Sequence, residues 1–275
     1  MADHRRDRPS RSALLDQLEA AVLDLRDSSA WAAYLAAQAR FHRYSPRNVM
    51  LISMQRPDAT HVAGFGTWRS LGRQVRKGER AIAILAPKVV PDEDGQRQVR
   101  GFRWVNVFDI SQTEGDDLPA PVRILDGDDA GRLRESLGAV ASGLGLTVTE
   151  EDLAPGVNGE LRWATATIVV APANPGLQRA KTIAHELGHF LLHRHEPDRA
   201  RAEIEAEAVA FVVLASLGVD SSAYSAGYLS SWIGEHGDVG EAISRSCTAI
   251  SSASQRILTA IEGQLESAGA MSLSA

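Results

Sequence analysis

Apolar residues recur at helical spacing early in the chain, with Leu14, Leu15, Leu18, Ala21, Val22 and Leu25 on one side of a 3.6-residue repeat. Residues 12 to 40 therefore read as Ala/Leu-rich helices. From Phe41 to Pro87 the texture changes to short apolar runs broken by Gly, Pro and Arg. Asn48 to Met54 reads as a helix there. Ala81 to Leu85 and Phe102 to Phe108 read as strands, joined by a polar hairpin turn over Pro91 to Arg97. The polar, proline-bearing segment Ser111 to Pro121 marks a domain linker. Beyond it the pattern predicts a helix near Ala130 to Ser142, a strand over Trp163 to Val170, and a turn at Asn174-Pro175-Gly176. Helices of about Leu177 to His193 and Arg199 to Leu217 follow. The fold class is α+β in two parts: a small α+β domain over 12–118 and a mainly helical domain with a small sheet over 119–275.

The chain has 275 residues, 44% hydrophobic and 23% charged, a composition suited to two globular cores and not to a disordered or fibrous protein. Cys247 is the single cysteine, so no intrachain disulfide forms and no thiolate cluster is available to a metal. The N-terminal MADHRRDRPSRS is basic with no apolar core after it, which reads as neither secretory signal nor anchor. The longest apolar runs, such as Ala208 to Leu217, fall short of the roughly 20 residues that span a bilayer. The expectation is a cytoplasmic protein with no membrane partner.

The net charge of -6 conceals an asymmetry. Residues 1 to 110 carry 18 Lys and Arg against 12 Asp and Glu, whereas the remainder carries 11 against 23. A basic first half beside an acidic second half points to an anionic partner for the first.

The strongest chemical signal is His185-Glu186-Leu187-Gly188-His189. Residues four apart share a helix face, so His185 and His189 can present two imidazoles to one metal ion, the arrangement of zinc peptidases. Glu186 is then not a ligand. It takes a proton from a water that the metal has acidified and passes it to the leaving amine. Such a site needs a third protein ligand and an open position for water. Glu203 and Glu207, four apart on the following helix, are the candidates; His193 and His195 read rather as capping or surface residues.

HELGHFLLH followed by EIEAEAVAFVV resembles the ImmA/IrrE-type zinc metallopeptidases and the peptidase domain of ArdC-type antirestriction proteins. The resemblance implies a zincin-like domain holding Zn2+ and makes Glu203 the third ligand, because the family's ligand opens an E-x-x-x-(D/N/E) segment. Glu207 would then hold a ligating histidine in its tautomer, although many family members have Asn or Asp there, so the choice between the two glutamates stays open.

Between Arg40 and Arg80 stand nine basic residues against two acidic ones, Asp58 and Glu79, interleaved with Phe41, Tyr44, Phe65 and Trp68. Cations along a phosphate backbone and rings for stacking are what single-stranded nucleic acid requires. The stretch FHRYSPRNVMLISMQRPDATHVAGFGTWRSLGRQVRKGERAIAILAP is similar to the N-terminal single-stranded-DNA-binding domain of ArdC-type proteins, and VFDISQTEGDDLP to the segment that closes it. The binding candidates are Arg43, Tyr44, Arg47, Asn48, Phe65, Trp68, Arg69, Arg73, Arg76, Lys77 and Arg80. Together the resemblances imply a peptidase brought by its own first domain to single-stranded DNA, acting on a protein substrate there.

Overall fold

The computed structural model of the chain describes residues 10–91, 96–118, 129–219 and 238–272. Helix and sheet are mixed throughout. The described residues form two compact units: one holds those up to Val22 and from Tyr44 to 118, the other those from Leu23 to Arg43 and from 129 onward.

The first unit contains α1 (Arg11–Asp24), α3 (Pro46–Gln55) and α4 (Phe65–Ser70), with β1 (Val62–Gly64), β2 (Arg73–Val75), β3 (Ile82–Pro91), β4 (Arg97–Asp109) and β5 (Thr113–Gly115). Strands β3 and β4 form a long antiparallel hairpin from Ile82 opposite Val107 to Pro91 opposite Arg97, and β1 pairs with the base of β4. Both strands run further than their apolar runs, because their distal halves are exposed on both faces. The expected turn between them lies at 92–95, outside the described residues.

The expected linker begins too early. A 3-10 turn, Ile110–Gln112, and β5, which pairs with β2, belong to the first unit. Buried Asp109 organises this corner by accepting from the backbone N–H groups of Thr60, His61 and Ser111. Gln112 is fully buried and donates to Glu79 and to the Arg80 carbonyl, so its polarity reflects an internal network. Residues 119–121 of that segment lie outside the described residues.

The second unit contains α2 (Ser28–Arg40), α5 (Asp129–Gly143), β6 (Thr147–Glu150), β7 (Gly159–Arg162), β8 (Thr167–Val170), α6 (Gly176–Leu192), α7 (Arg199–Ser216) and α8 (Val239–Ser272). Helix α2 departs from the division at residue 118, for a chemical reason. Its Gln38 is buried against Ser251 of α8, and the Ala39 carbonyl accepts from Ser216 of α7. The small sheet has β8 in the middle, parallel to β6 and antiparallel to β7. Ile168, Val169 and Val170 are fully buried, as expected of a central strand covered by helices. Among the described residues no helix is long and apolar enough to cross a membrane.

Candidate metal centre and basic surface

Helix α6 starts after Pro175, at the punctuation Asn174-Pro175-Gly176, and buries Ile183, Ala184 and Leu187. Helix α7 is capped by Asp198, which accepts from Arg201 N at 3.1 Å. The two helices meet at Gly188: a Cβ there would stand 3.1 Å from the Ala206 Cα, so a larger residue would push α7 back by a few tenths of an ångström. That approach places Glu203 over the histidine face of α6.

His185 Nε2 and His189 Nε2 lie 3.0 Å apart; Glu203 places one carboxylate oxygen 3.4 Å from the first and the other 3.6 Å from the second. Four-coordinate zinc with bonds of 2.0–2.1 Å needs ligand atoms about 3.4 Å apart along each tetrahedral edge. The three side chains come near that spacing, with the two Glu203 distances taken to different oxygens, and form a group able to hold a metal ion. Burial alone would pull the His185 imidazolium down, but the Glu203 and Glu207 carboxylates hold it up, to about 9. Hydrogen bonds to the two histidines keep the Glu203 carboxyl well below the usual carboxylate range. Such a cluster of opposite charges is the set a cation would take over.

Glu207 does not join the three. Its carboxylate lies 3.4 Å from the other ring nitrogen of His185, Nδ1, and 2.5 Å from Lys181 Nζ. Glu186 is buried, at 7% exposure, and its carboxyl is pushed up by desolvation, with Glu203 and Glu160 adding to the effect and the two histidines opposing it. His185, Glu186 and Glu207 line a cleft of about 350 Å3 together with Gln178, Lys181, Thr182 and the segment Gly156–Gly159 leading into β7. Gly159 fits so closely that a Cβ there would meet Thr182 Cγ2 and the Val169 carbonyl. Trp163, just past β7, stacks on Phe190 at 5.8 Å. The expected strand Trp163 to Val170 starts later, at Thr167, because 163–166 form the turn between β7 and β8 with Ala166 at φ 50°. His193 is the C-cap of α6, in line with its capping reading, but it is no surface residue: its side chain is 5% exposed, between His189 and Glu205. His195 is exposed, in line with the surface reading.

The basic candidates divide sharply. Asn48 is buried and clamps α3 to β3, donating to the Leu85 carbonyl and accepting from Leu85 N. Trp68 is 2% exposed and donates to the Phe108 carbonyl, as a core residue. Arg73 bonds Thr113, Gly115 and Asp116, while Arg76 bonds Glu79 and the Ser111 carbonyl, so both guanidinium groups hold the β2–β5 corner. Tyr44 donates to the Val62 carbonyl at 2.6 Å. Arg43 pairs with Glu262 at 2.9 Å and belongs to the second unit. Arg80 has a partner, whereas Arg47, Arg69 and Lys77 are exposed and make no ion pair among the described residues. Phe65 is 51% exposed and, with Arg69, Gly72, Arg73 and Gln74, lines a shallow hollow.

Sequence reasoning missed the outer half of the β3–β4 hairpin. Val89, Val99 and Phe102 are exposed there, Phe102 at 67%, beside exposed Lys88, Arg97, Arg100 and Arg103. The signal was present as cations at every third position with Val99 and Phe102 between them in RQVRGFR, which an ordinary exposed strand explains equally well.

An HExxH helix carrying two histidines, with an acidic donor from the next helix beside them, is a group able to hold a metal ion. Residues 12–117 match the N-terminal domain of anti-restriction factor ArdC, and residues 141–223 match the IrrE N-terminal-like domain of a peptidase family. The chain thus carries a match to each of these two domains, one after the other. An uncharacterized protein from Bacillus anthracis is 27% identical over 255 residues, covering 74% of this chain and 43% of that protein, so the chain spans less than half its length. Two crystal structures of the antirestriction ArdC protein from the R388 plasmid are similar to this chain at 18% identity and a TM-score of 0.47. The metal-free one matches over 80% of this chain and 86% of its own, the Mn(II)-bound one over 83% and 97%.

Proposed function

We propose that the chain is a zinc-dependent endopeptidase, over residues 119–275, joined to a single-stranded-DNA-binding domain over 12–118, and that it hydrolyses a DNA-associated protein in the cytoplasm. The observation that carries this reading is the convergence of His185, His189 and Glu203, with His185 and buried Glu186 on the wall of an open cleft. Two histidines and a glutamate are the donor set of catalytic zinc with one position left for water. When bound, zinc would acidify that water and polarise the scissile carbonyl. Glu186 moves the protons: its carboxylate accepts one from the attacking water and delivers it to the leaving amine. Burial raises the Glu186 carboxyl, which brings a carboxylate base closer to the working pH.

Strand β7 pairs only with β8 among the described residues and is therefore a sheet edge, with Gly159 at the cleft. An extended substrate segment could add to that edge through backbone hydrogen bonds and pass Glu186. Exposed Arg47, Arg69, Lys77, Phe65 and Phe102 support binding of a single strand through phosphate contacts and base stacking. The test is cleavage of a DNA-bound repressor protein by wild type and Glu186→Gln, with and without single-stranded DNA. Cleavage by wild type alone, faster with DNA, is expected; equal cleavage by both proteins would refute the peptidase.

A second reading is favoured by the match to the ArdC N-terminal domain. In it the chain protects incoming single strands from restriction and the metal site is structural. Full antirestriction activity in Glu186→Gln, with its loss on charge reversal at Arg69 and Lys77, would select this reading.

A further inference from the structure

Behind His189 runs a file of polar groups that the chemistry above does not use. His193 continues the His185, His189 stripe by one more turn and ends α6. Its Nδ1 is 3.0 Å from His189 Nδ1, and its Nε2 is 3.0 Å from Glu205 Oε2. Ser246 on α8 donates to the other Glu205 oxygen at 2.5 Å, and Arg201 Nε stands 3.7 Å from that same oxygen. The side chains of His193 and Glu205 are 5% and 7% exposed. A buried carboxylate is costly, and an apolar side chain would fill the space between α7 and α8 without that cost, so packing alone does not account for Glu205.

The polarity of the file follows from elementary bonding. An ionised carboxylate only accepts hydrogen bonds, so His193 must carry its proton on Nε2. When His193 is the neutral imidazole that is its one N–H, which leaves Nδ1 bare and able only to accept. His189 must then donate from Nδ1, and its lone pair stands on Nε2, the atom 3.0 Å from His185 Nε2 and 3.6 Å from Glu203. Glu207 does the same for His185 in one step, at Nδ1.

We propose that Glu205, acting through His193 and held by Ser246, is a positioning residue that fixes the tautomer of His189 for metal binding. The inference rests on the metal centre proposed above. It also gives α8, which lies beyond the matched segment 141–223, a part in the site.

The test uses the full chain with Zn2+ as probe, measured by chelator competition, and long-range 1H–15N spectra of the metal-free wild type at pH 8. The expected results are His189 protonated on Nδ1 and a Zn2+ affinity lower by about 10–100-fold in Glu205→Gln, whose amide can donate as well as accept. Ser246→Ala should show a smaller loss in the same direction. If wild type binds zinc and His185→Ala does not, yet Glu205→Gln binds as tightly as wild type, the relay is overturned while the metal centre stands. Protonation of His189 on Nε2 in wild type overturns it equally, a readout that survives a variant failing to fold. If wild type and His185→Ala both fail to bind, the metal centre itself falls and the relay with it.

Discussion

Replacing Gly188 by alanine puts the helix crossing that builds the site under direct test. The added Cβ would stand 3.1 Å from Ala206 Cα, 3.3 Å from Val209 Cβ and 3.4 Å from the Ala206 carbonyl oxygen. Ala206 and Val209 are fully buried, and the atoms met are backbone or a branched Cβ, so none can swing aside as the end of a long side chain would. Alanine in place of a mid-helix glycine by itself gains about 0.8–1 kcal/mol. Crowding a packed contact costs about 1–3 kcal/mol. The balance predicts a variant less stable by up to about 2 kcal/mol. Relief would come from α7 moving by a few tenths of an ångström, and α7 carries Glu203, so Zn2+ affinity falls as well. Gly138→Ala is the control: it lies inside α5 with nothing within 4 Å of its Cβ, leaving only the propensity gain of up to about 1 kcal/mol. Urea unfolding of both variants and Zn2+ competition give the answer. Gly188→Ala at or above wild-type stability with unchanged affinity would refute the reasoning.

Other substitutions separate the remaining roles. Glu207→Gln should retain zinc but bind it about 10–100-fold more weakly, measured by competition, because the Nδ1 partner of His185 is altered and the ligand is not. Burial pushes the Asp109 carboxyl up, but hydrogen bonds from Ser111, Thr60 and His61 more than offset this and hold it below its ordinary value. Its stabilisation is therefore present above the ordinary carboxylate value near pH 4 and is lost as pH falls through the lowered folded value. Asp109→Asn should cost about 1.5–3 kcal/mol at pH 7, with the gap to wild type closing in acid during urea titrations. Charge reversal at Arg69 and Lys77 should weaken single-stranded DNA binding and flatten its salt dependence, with the log-log slope falling by roughly 0.7 for each lost phosphate contact. Trp68→Phe should leave that slope unchanged while lowering stability, since the ring is in the core.

The elements legible in the sequence are those with long stripes and clear punctuation. Helices α6 and α7 begin within a residue of expectation, because Pro175 and Asp198 mark their starts and the apolar stripe is unbroken between. Strands β1, β2 and β5 have three residues each, too few for alternation to register. Ala166 takes a left-handed conformation that no glycine announces, which hid the β7–β8 turn. Charge and aromaticity identified a basic region without revealing which members are consumed internally. Asn48, Arg73 and Arg76 each satisfy backbone carbonyls in their own unit, information that resides in strand pairing and not in spacing. At the metal centre the helical repeat placed Glu203 and Glu207 on one face, but the close approach at Gly188 decides which one meets both histidines. The link from His193 through Glu205 to Ser246 joins three helices and leaves no local mark.

The central claim is that His185, His189 and Glu203 hold one catalytic metal while Glu186 does not bind it. Zinc content of the purified full chain, with His185→Ala, Glu203→Ala and Glu186→Gln beside it, tests this most directly. The account predicts roughly one zinc per wild-type chain, retained in Glu186→Gln and lost in the other two. Zinc retained by Glu203→Ala, or absent from wild type, would contradict it.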